Sequence, residues 1–161
     1  MPGPAQATPL APTPPPKKRV WPVVLIIVVV GALVVGLGAF FVGRAIIGNR
    51  NTAYCQTYTS LSDHLPSISD QLTQAQTSGD LKAVSTALGN MIAQFQGLEN
   101  ASAPNTAVTP LTSILSYLTT LQTLANNNDP NGYNDYVQQN FQSVFQASVT
   151  RLDNATLQYC K

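Results

Sequence analysis

The feature that most constrains this chain is an uncharged apolar run at residues 20–43, VWPVVLIIVVVGALVVGLGAFFVG. A helix of this length is roughly 36 Å long at 1.5 Å per residue, and the hydrocarbon core of a bilayer is about 30 Å thick. We therefore predict one transmembrane helix at 20–43, which makes the lipid bilayer the first expected partner of the chain.

A cleaved secretory signal peptide is the competing interpretation of the same run, because such peptides also begin with a basic stretch followed by apolar residues. Their apolar region is about 7 to 15 residues long and ends at a cleavage site of the A-x-A type. The run in this chain is longer, and no such site follows it. The sequence therefore favours an uncleaved signal-anchor over a signal peptide.

The residues on either side of the run predict its orientation. Residues 1–19, MPGPAQATPLAPTPPPKKR, are rich in proline and contain no aromatic side chain, which is typical of a disordered tail. This tail ends in three cations, whereas only Arg44 and Arg50 follow the run. Because cytoplasmic flanks carry the excess of basic residues, we expect a cytoplasmic Pro-rich tail, a juxtamembrane segment at 44–52 and an extracytoplasmic remainder.

Four small residues within the run share one helical face. They are Ala32, Gly36, Ala39 and Gly43, spaced by four, three and four residues. Small residues in that arrangement allow two membrane helices to approach closely. The pattern predicts a transmembrane pairing face, and so a homodimer or a pair with another membrane helix, with a lone anchor as the alternative.

After residue 52 the apolar residues follow a helical period instead of the alternation of a strand. Four stripes, at 54–75, 81–98, 111–125 and 137–159, repeat apolar positions every three or four residues between short polar segments. The fourth stripe consists of Val137, Phe141, Val144, Phe145, Ser148, Leu152, Ala155 and Tyr159. The spacing predicts an all-α domain at 53–161, an antiparallel (up-down-up-down) four-helix bundle.

Local signals predict where these helices begin and end. Pro66 interrupts the first stripe without changing its phase, which indicates a kinked helix rather than a loop. The Ser78-Gly79-Asp80 segment supplies a helix stop followed by an N-cap. Thr109 and Pro110 have the pattern of an N-cap and first position for the third helix. The NNNDPNG segment predicts a turn before the fourth helix.

The two cysteines of the chain fall at matching ends of the predicted bundle. Cys55 lies in the first turn of the first helix, and Cys160 lies in the last turn of the fourth. An even number of antiparallel helices brings these two turns to the same end of the bundle, and disulfides persist outside the cytoplasm. We expect a Cys55–Cys160 disulfide, with a reduced, buried pair of thiols as the alternative.

Charge and motifs argue against several functions. Residues 51–161 contain three basic and seven acidic residues, a formal net charge of −4, which disfavours nucleic-acid binding. The single histidine, His64, follows Asp63, but no nucleophile motif, phosphate loop or zinc spacing accompanies the pair. We expect a protein that is not an enzyme, with no catalytic, cofactor-binding or metal-binding residues and no cofactor.

A calcium loop of the EF-hand type is the one metal site that the spacing suggests. Its positions 1, 3, 5, 6, 9 and 12 would be Asn127, Asp129, Asn131, Gly132, Asp135 and Gln138, with the glycine at the sharp turn. The glycine is correctly placed, but the bidentate carboxylate at the last position is replaced by glutamine. An Asx-rich turn, with Asn134 or Asp135 capping the fourth helix, is the simpler interpretation.

These features predict a single-pass membrane protein that displays a noncatalytic helical binding domain in the cell envelope. A surface rich in amides and hydroxyls and poor in charge suits a protein or a cell-envelope glycan as partner. The alternative is a transmembrane sensor or regulator, in which the helix of residues 20–43 pairs and the Pro-rich tail reports the signal inside the cell.

Overall fold

The computed structural model describes residues 52–161, and the regular elements within that range are helices. The first three are α1 (Ala53–Thr77), α2 (Leu81–Asn100) and α3 (Asn105–Asn126). A continuous rod follows, which we call the fourth helix: α4 (Pro130–Asn140), a π-helical turn (Phe141–Gln146) and α5 (Ala147–Tyr159). The predicted all-α domain of four helices is confirmed.

The predictions for residues 1–51, namely the tail, the transmembrane helix and its pairing face, lie outside the described residues. Within 52–161, no helix combines the length and the apolar character needed to cross a membrane.

Helix α1 follows its apolar stripe without a break. Thr52 is its N-cap, and the Thr52 hydroxyl accepts a hydrogen bond from the backbone N–H of Cys55 at 3.3 Å. Pro66 lies within the helix on the exposed side, where the backbone hydrogen bond that proline removes costs least because water reaches the freed carbonyl. The prediction of a helix rather than a loop at Pro66 is confirmed.

The turn between α1 and α2 has the predicted chemistry. Gly79 has a φ of +69°, the left-handed conformation that glycine adopts without steric cost. The Asp80 N–H then donates to the carbonyl of Ala75 at 3.2 Å, which closes a Schellman motif. The Asp80 carboxylate accepts the backbone N–H of Lys82 at 2.9 Å and so caps α2.

The predicted start of the third helix at Thr109 and Pro110 is wrong. Helix α3 begins at Asn105, and Pro110 lies inside it. The fully buried Ala107 extends the apolar stripe one turn toward the N-terminus, and this burial favours helix before the proline. The carbonyl that Pro110 leaves without a helical donor belongs to Thr106, an exposed residue at which water can replace the donor.

The fourth helix begins earlier than predicted, so the prediction of Asn134 or Asp135 as its cap is also wrong. Asp129 is the N-cap, and its carboxylate accepts the backbone N–H of Gly132 at 2.9 Å. Pro130 occupies the first helical position, where a missing N–H costs nothing. The NNNDPNG turn is confirmed, but only residues 127–129 of it are non-helical.

The buried face of the fourth helix differs from the predicted stripe because of the π-helical turn. A π-turn holds more residues than an α-turn, and it therefore rotates the following residues relative to a regular stripe. After it, Val149, Asp153 and Thr156 are buried beside the predicted positions, whereas Tyr159 is 46% exposed. Phe141 and Val144, which belong to the predicted stripe, are only partly buried and pack against the core.

The helices pack in sequence order around one core. Helix α1 packs on α2, α2 on α3, and α3 on the whole fourth helix. Their antiparallel directions are visible in the pairs that cross between them: the Ser85 hydroxyl donates to Asn126 at 2.6 Å, and the Asn90 amide donates to Gln71 at 3.3 Å. The end that carries residue 52 also carries Cys160, and we call it the proximal end.

Candidate functional site

The fourth side of the bundle, between α1 and α5, is closed at the proximal end by a covalent bond. Cys55 and Cys160 form a disulfide with their Cα atoms 5.9 Å apart, and both side chains are buried. The backbones of α1 and α5 remain farther apart than those of the other neighbouring helices. The predicted disulfide is confirmed, and it joins the two helices that pack least closely.

Two tyrosine hydroxyls continue this closure along the bundle. The hydroxyls of Tyr54 and Thr156 are hydrogen-bonded at 2.7 Å, and the Tyr58 hydroxyl donates to the Asp153 carboxylate at 2.9 Å. Asp153 is only 2% exposed, and a buried carboxylate needs hydrogen-bond donors. Burial raises the pKa of Tyr54, the bond to Thr156 lowers it, and the nearby Tyr159 raises it. Long polar side chains therefore bridge the space between α1 and α5.

An aromatic cluster surrounds the π-helical turn on the other side of the fourth helix. The ring centroids of Tyr117 and Tyr136 are 5.4 Å apart, and those of Tyr117 and Phe145 are 4.9 Å apart. Phe141 stacks on Phe145 at 5.8 Å. The irregular turn thus places Phe145 against Tyr117 at the centre of α3 and Phe141 against Phe145, a packing gain that favours the local change of helical geometry.

Two buried hydroxyls in and beside this cluster have no hydrogen-bond partner among residues 52–161: those of Tyr117 and Tyr133. Burial is the main cause that raises the pKa of each, and the neighbouring Tyr133 and Tyr136 raise that of Tyr117 further. The Gln76 side chain opposes the increase at Tyr133, although no hydrogen bond of standard geometry joins its Nε2 to the hydroxyl.

Replacing Tyr117 by phenylalanine is expected to raise the free energy of unfolding by about 1 kcal/mol, because it removes a buried, unsatisfied hydroxyl and keeps the ring contacts. The measurement is urea unfolding of the full-length chain in a mild detergent. Tyr58→Phe is the matched control, and its loss of a hydrogen bond to a carboxylate should lower stability by about 1 to 3 kcal/mol. Equal losses of stability in both variants would contradict the assignment of the Tyr117 hydroxyl as a group without a hydrogen-bond partner.

A polar cleft lies between α3 and α5 in the proximal half of the bundle and has a volume of about 400 Å³. Of the seven polar residues in its lining, Ser148 is buried, and the other six come from facing rows on the two helices: Thr106, Thr109, Ser113, Arg151, Asn154 and Gln158. The buried Pro110 and Ala155 contribute apolar lining. A cleft of this size is in the range that holds small ligands.

A second cleft, of about 440 Å³, adjoins the first and shares Thr109 and Ser113 with it. It continues along α3 toward the aromatic cluster, and its lining includes Tyr136 and Val108, which is 41% exposed. None of its lining residues is charged. Together the two clefts form one groove beside α3, and Arg151 is the single charged residue of its lining.

The other residues that the sequence singled out do not come together as a site in the structure. His64 is exposed, and its Nδ1 lies 2.7 Å from the carbonyl oxygen of Ser60 in the same helix, so its contact is local. The proposed calcium loop is not formed as a loop, because residues 130–138 are helical. Within the described residues, no three His, Cys, Asp or Glu side chains are grouped as a metal ion would require.

Sequence reasoning missed the partners of the tyrosines and the polar cleft. The sequence did contain a signal for the partners of the tyrosines. Thr156 and Asp153 precede Cys160 by four and seven residues, and so share its face of the helix. Once the two cysteines are paired, that face must meet the tyrosines beside Cys55. The cleft had no comparable signal, because it depends on how α3 and α5 are rotated against each other.

Comparison of the chain with protein-family models, with curated proteins and with solved structures found no match.

Proposed function

We propose that this protein is a noncatalytic binding module, anchored by residues 20–43 and displayed outside the cytoplasmic membrane. The observation that carries the proposal is the Cys55–Cys160 disulfide, because disulfides persist in oxidising compartments and are rare in the cytosol. The side of the membrane predicted from the basic residues at 17–19 agrees with that compartment.

The surface of the bundle supports binding as the activity. The groove beside α3 is lined by hydroxyl, amide and aromatic side chains and offers one guanidinium. Such groups form hydrogen bonds and stacking contacts with a partner without changing it chemically. A protein or glycan of the cell envelope is the class of partner that this surface suits.

The location is tested by labelling single introduced cysteines with a membrane-impermeant maleimide in intact cells. We expect Gln96→Cys, at an exposed position of α2, to be labelled directly. Thr8→Cys, in the N-terminal tail, should be labelled only after the cells are permeabilised. The reverse pattern would contradict the proposed display, and comparison of gels run with and without reductant checks that the native disulfide stays intact.

Deleting residues 2–16 distinguishes the alternative hypothesis, a transmembrane sensor, from the proposed display module. A display module should keep its partner in crosslinked membranes after the deletion, because the binding domain is unchanged. A sensor that reports through the tail should lose its cellular response while it retains the partner. A deletion that abolishes partner capture would contradict the display proposal.

A further inference from the structure

The cleft between α3 and α5 combines an available cation with a neutral polar lining. Arg151 is exposed and forms no ion pair within residues 52–161. None of the seven acidic residues of the chain lines the cleft. The nearest acid in sequence, Asp153, is buried and bonded to Tyr58 on the opposite side of α5. The guanidinium therefore lacks a carboxylate of the bundle as partner.

A guanidinium in this setting selects an oxyanion. Its planar fork of N–H groups matches the geometry of a carboxylate or phosphate and binds either with two parallel hydrogen bonds. Residues 52–161 as a whole repel anions, since this part of the chain has a net charge of −4. Binding of an anion should therefore concentrate at this cleft rather than spread over the surface.

The rest of the lining favours a sugar as the carrier of that anion. Thr106 and Thr109 of α3 face Asn154 and Gln158 of α5, and within the described residues their side chains form no hydrogen bonds. The two rows span about 10 Å, the rise of seven helical residues. Hydroxyl and amide groups that both donate and accept match a polyol, whereas a peptide anchor or an acyl chain needs a deep apolar pocket.

We propose that this cleft binds an anionic glycan, with Arg151 on its carboxylate or phosphate group and the threonine, asparagine and glutamine side chains on its hydroxyls. The inference rests on the proposed binding function and names the ligand class and site for it. Pro110 and Ala155 supply the apolar lining against which the C–H groups of a sugar ring pack.

The test is calorimetric titration of the full-length protein in a mild detergent with four probes: trigalacturonic acid, glucose 6-phosphate, neutral maltotriose and a glutamate tripeptide. We expect one or both acidic sugars to bind at least about tenfold more tightly than maltotriose, the ratio that one charge-assisted contact provides. The two acidic probes distinguish carboxylate from phosphate as the recognised group. Equal affinity for acidic and neutral sugars, or preference for the peptide, would overturn the proposal.

Arg151→Gln should reduce the affinity for the acidic sugar at least about tenfold and leave maltotriose binding unchanged. Arg151→Lys keeps the positive charge but loses the planar fork of N–H groups. Its affinity for the acidic sugar should lie between those of wild type and Arg151→Gln. Lys82→Gln, which removes an exposed cation of α2 at the other end of the bundle, is the matched control and should have no effect. If Lys82→Gln weakens binding as much as Arg151→Gln, the attraction is nonspecific and the site is wrong.

Failure of this inference is distinguishable from failure of the proposed function. If Arg151→Gln binds the acidic sugar as wild type does while Gln96→Cys remains labelled in intact cells, only the cleft assignment is lost. If Gln96→Cys is not labelled in intact cells, display outside the membrane is lost whatever the purified protein binds.

Discussion

Replacing Cys55 and Cys160 together by alanine is expected to lower the free energy of unfolding of the bundle by about 4 to 5 kcal/mol. The two residues are 105 positions apart, so their bond closes a loop that contains nearly the whole domain. In the chain-entropy model, closing a loop of that length restricts the unfolded chain strongly. The measurement is urea unfolding of the oxidised wild type and the double variant, both full-length in the same detergent.

Reduced wild-type protein is the control that separates the effect of the crosslink on stability from the effect of core packing. Both cysteines are buried, so alanine also removes two sulfur atoms from the core, whereas reduction leaves them in place. We expect reduced wild type and the double variant to unfold at similar urea concentrations, both well below the oxidised protein. A reduced protein as stable as the oxidised one would show that the bond constrains little.

Alkaline pH is expected to destabilise the bundle steeply once it passes the ordinary tyrosine pKa of about 10. Tyr117 and Tyr133 have raised pKa values in the folded state, mainly because they are buried. Below about pH 10 each is protonated in both states, and its contribution to stability is complete. Above it, the unfolded chain releases protons that the folded chain retains, so the free energy of unfolding falls by about 1.4 kcal/mol per pH unit for each.

The variant Tyr117→Phe/Tyr133→Phe isolates this effect. Unfolding is followed in urea between about pH 8 and pH 11, and the slope above the tyrosine pKa is compared with that of wild type. In the double variant, the slope of the free energy of unfolding against pH should be smaller by about 2.7 kcal/mol per pH unit. The slope that remains includes the contribution of Tyr54, whose pKa is also raised. Identical slopes in both proteins would contradict the assignment of the effect to these two hydroxyls.

The features that local chemistry determines were predictable from the sequence. The apolar stripes, Gly79 in its left-handed turn and Asp80 at the start of α2 depend on residues close together in the chain. The disulfide was predictable because an even number of antiparallel helices returns the chain to its starting end. These predictions needed no knowledge of how helices rotate against each other.

The errors arose where packing between helices outweighed a local preference. Pro110 normally indicates a helix start, yet burial of Ala107 extends α3 through it. The π-helical turn depends on how Phe145 meets Tyr117, a contact between residues about thirty positions apart. The cleft at Arg151 likewise depends on the rotation of two helices, which a sequence pattern does not define.

The proximal disulfide also determines how the bundle would carry mechanical load. Tension applied at residue 52 reaches Cys55 within the first helical turn and passes through the covalent bond to Cys160 at the end of α5. A partner held at Arg151 would lie about two and a half turns farther along that same rod. Pulling between the proposed membrane anchor and such a partner would therefore stretch a short path through α5, while α2 would bear almost none of the force.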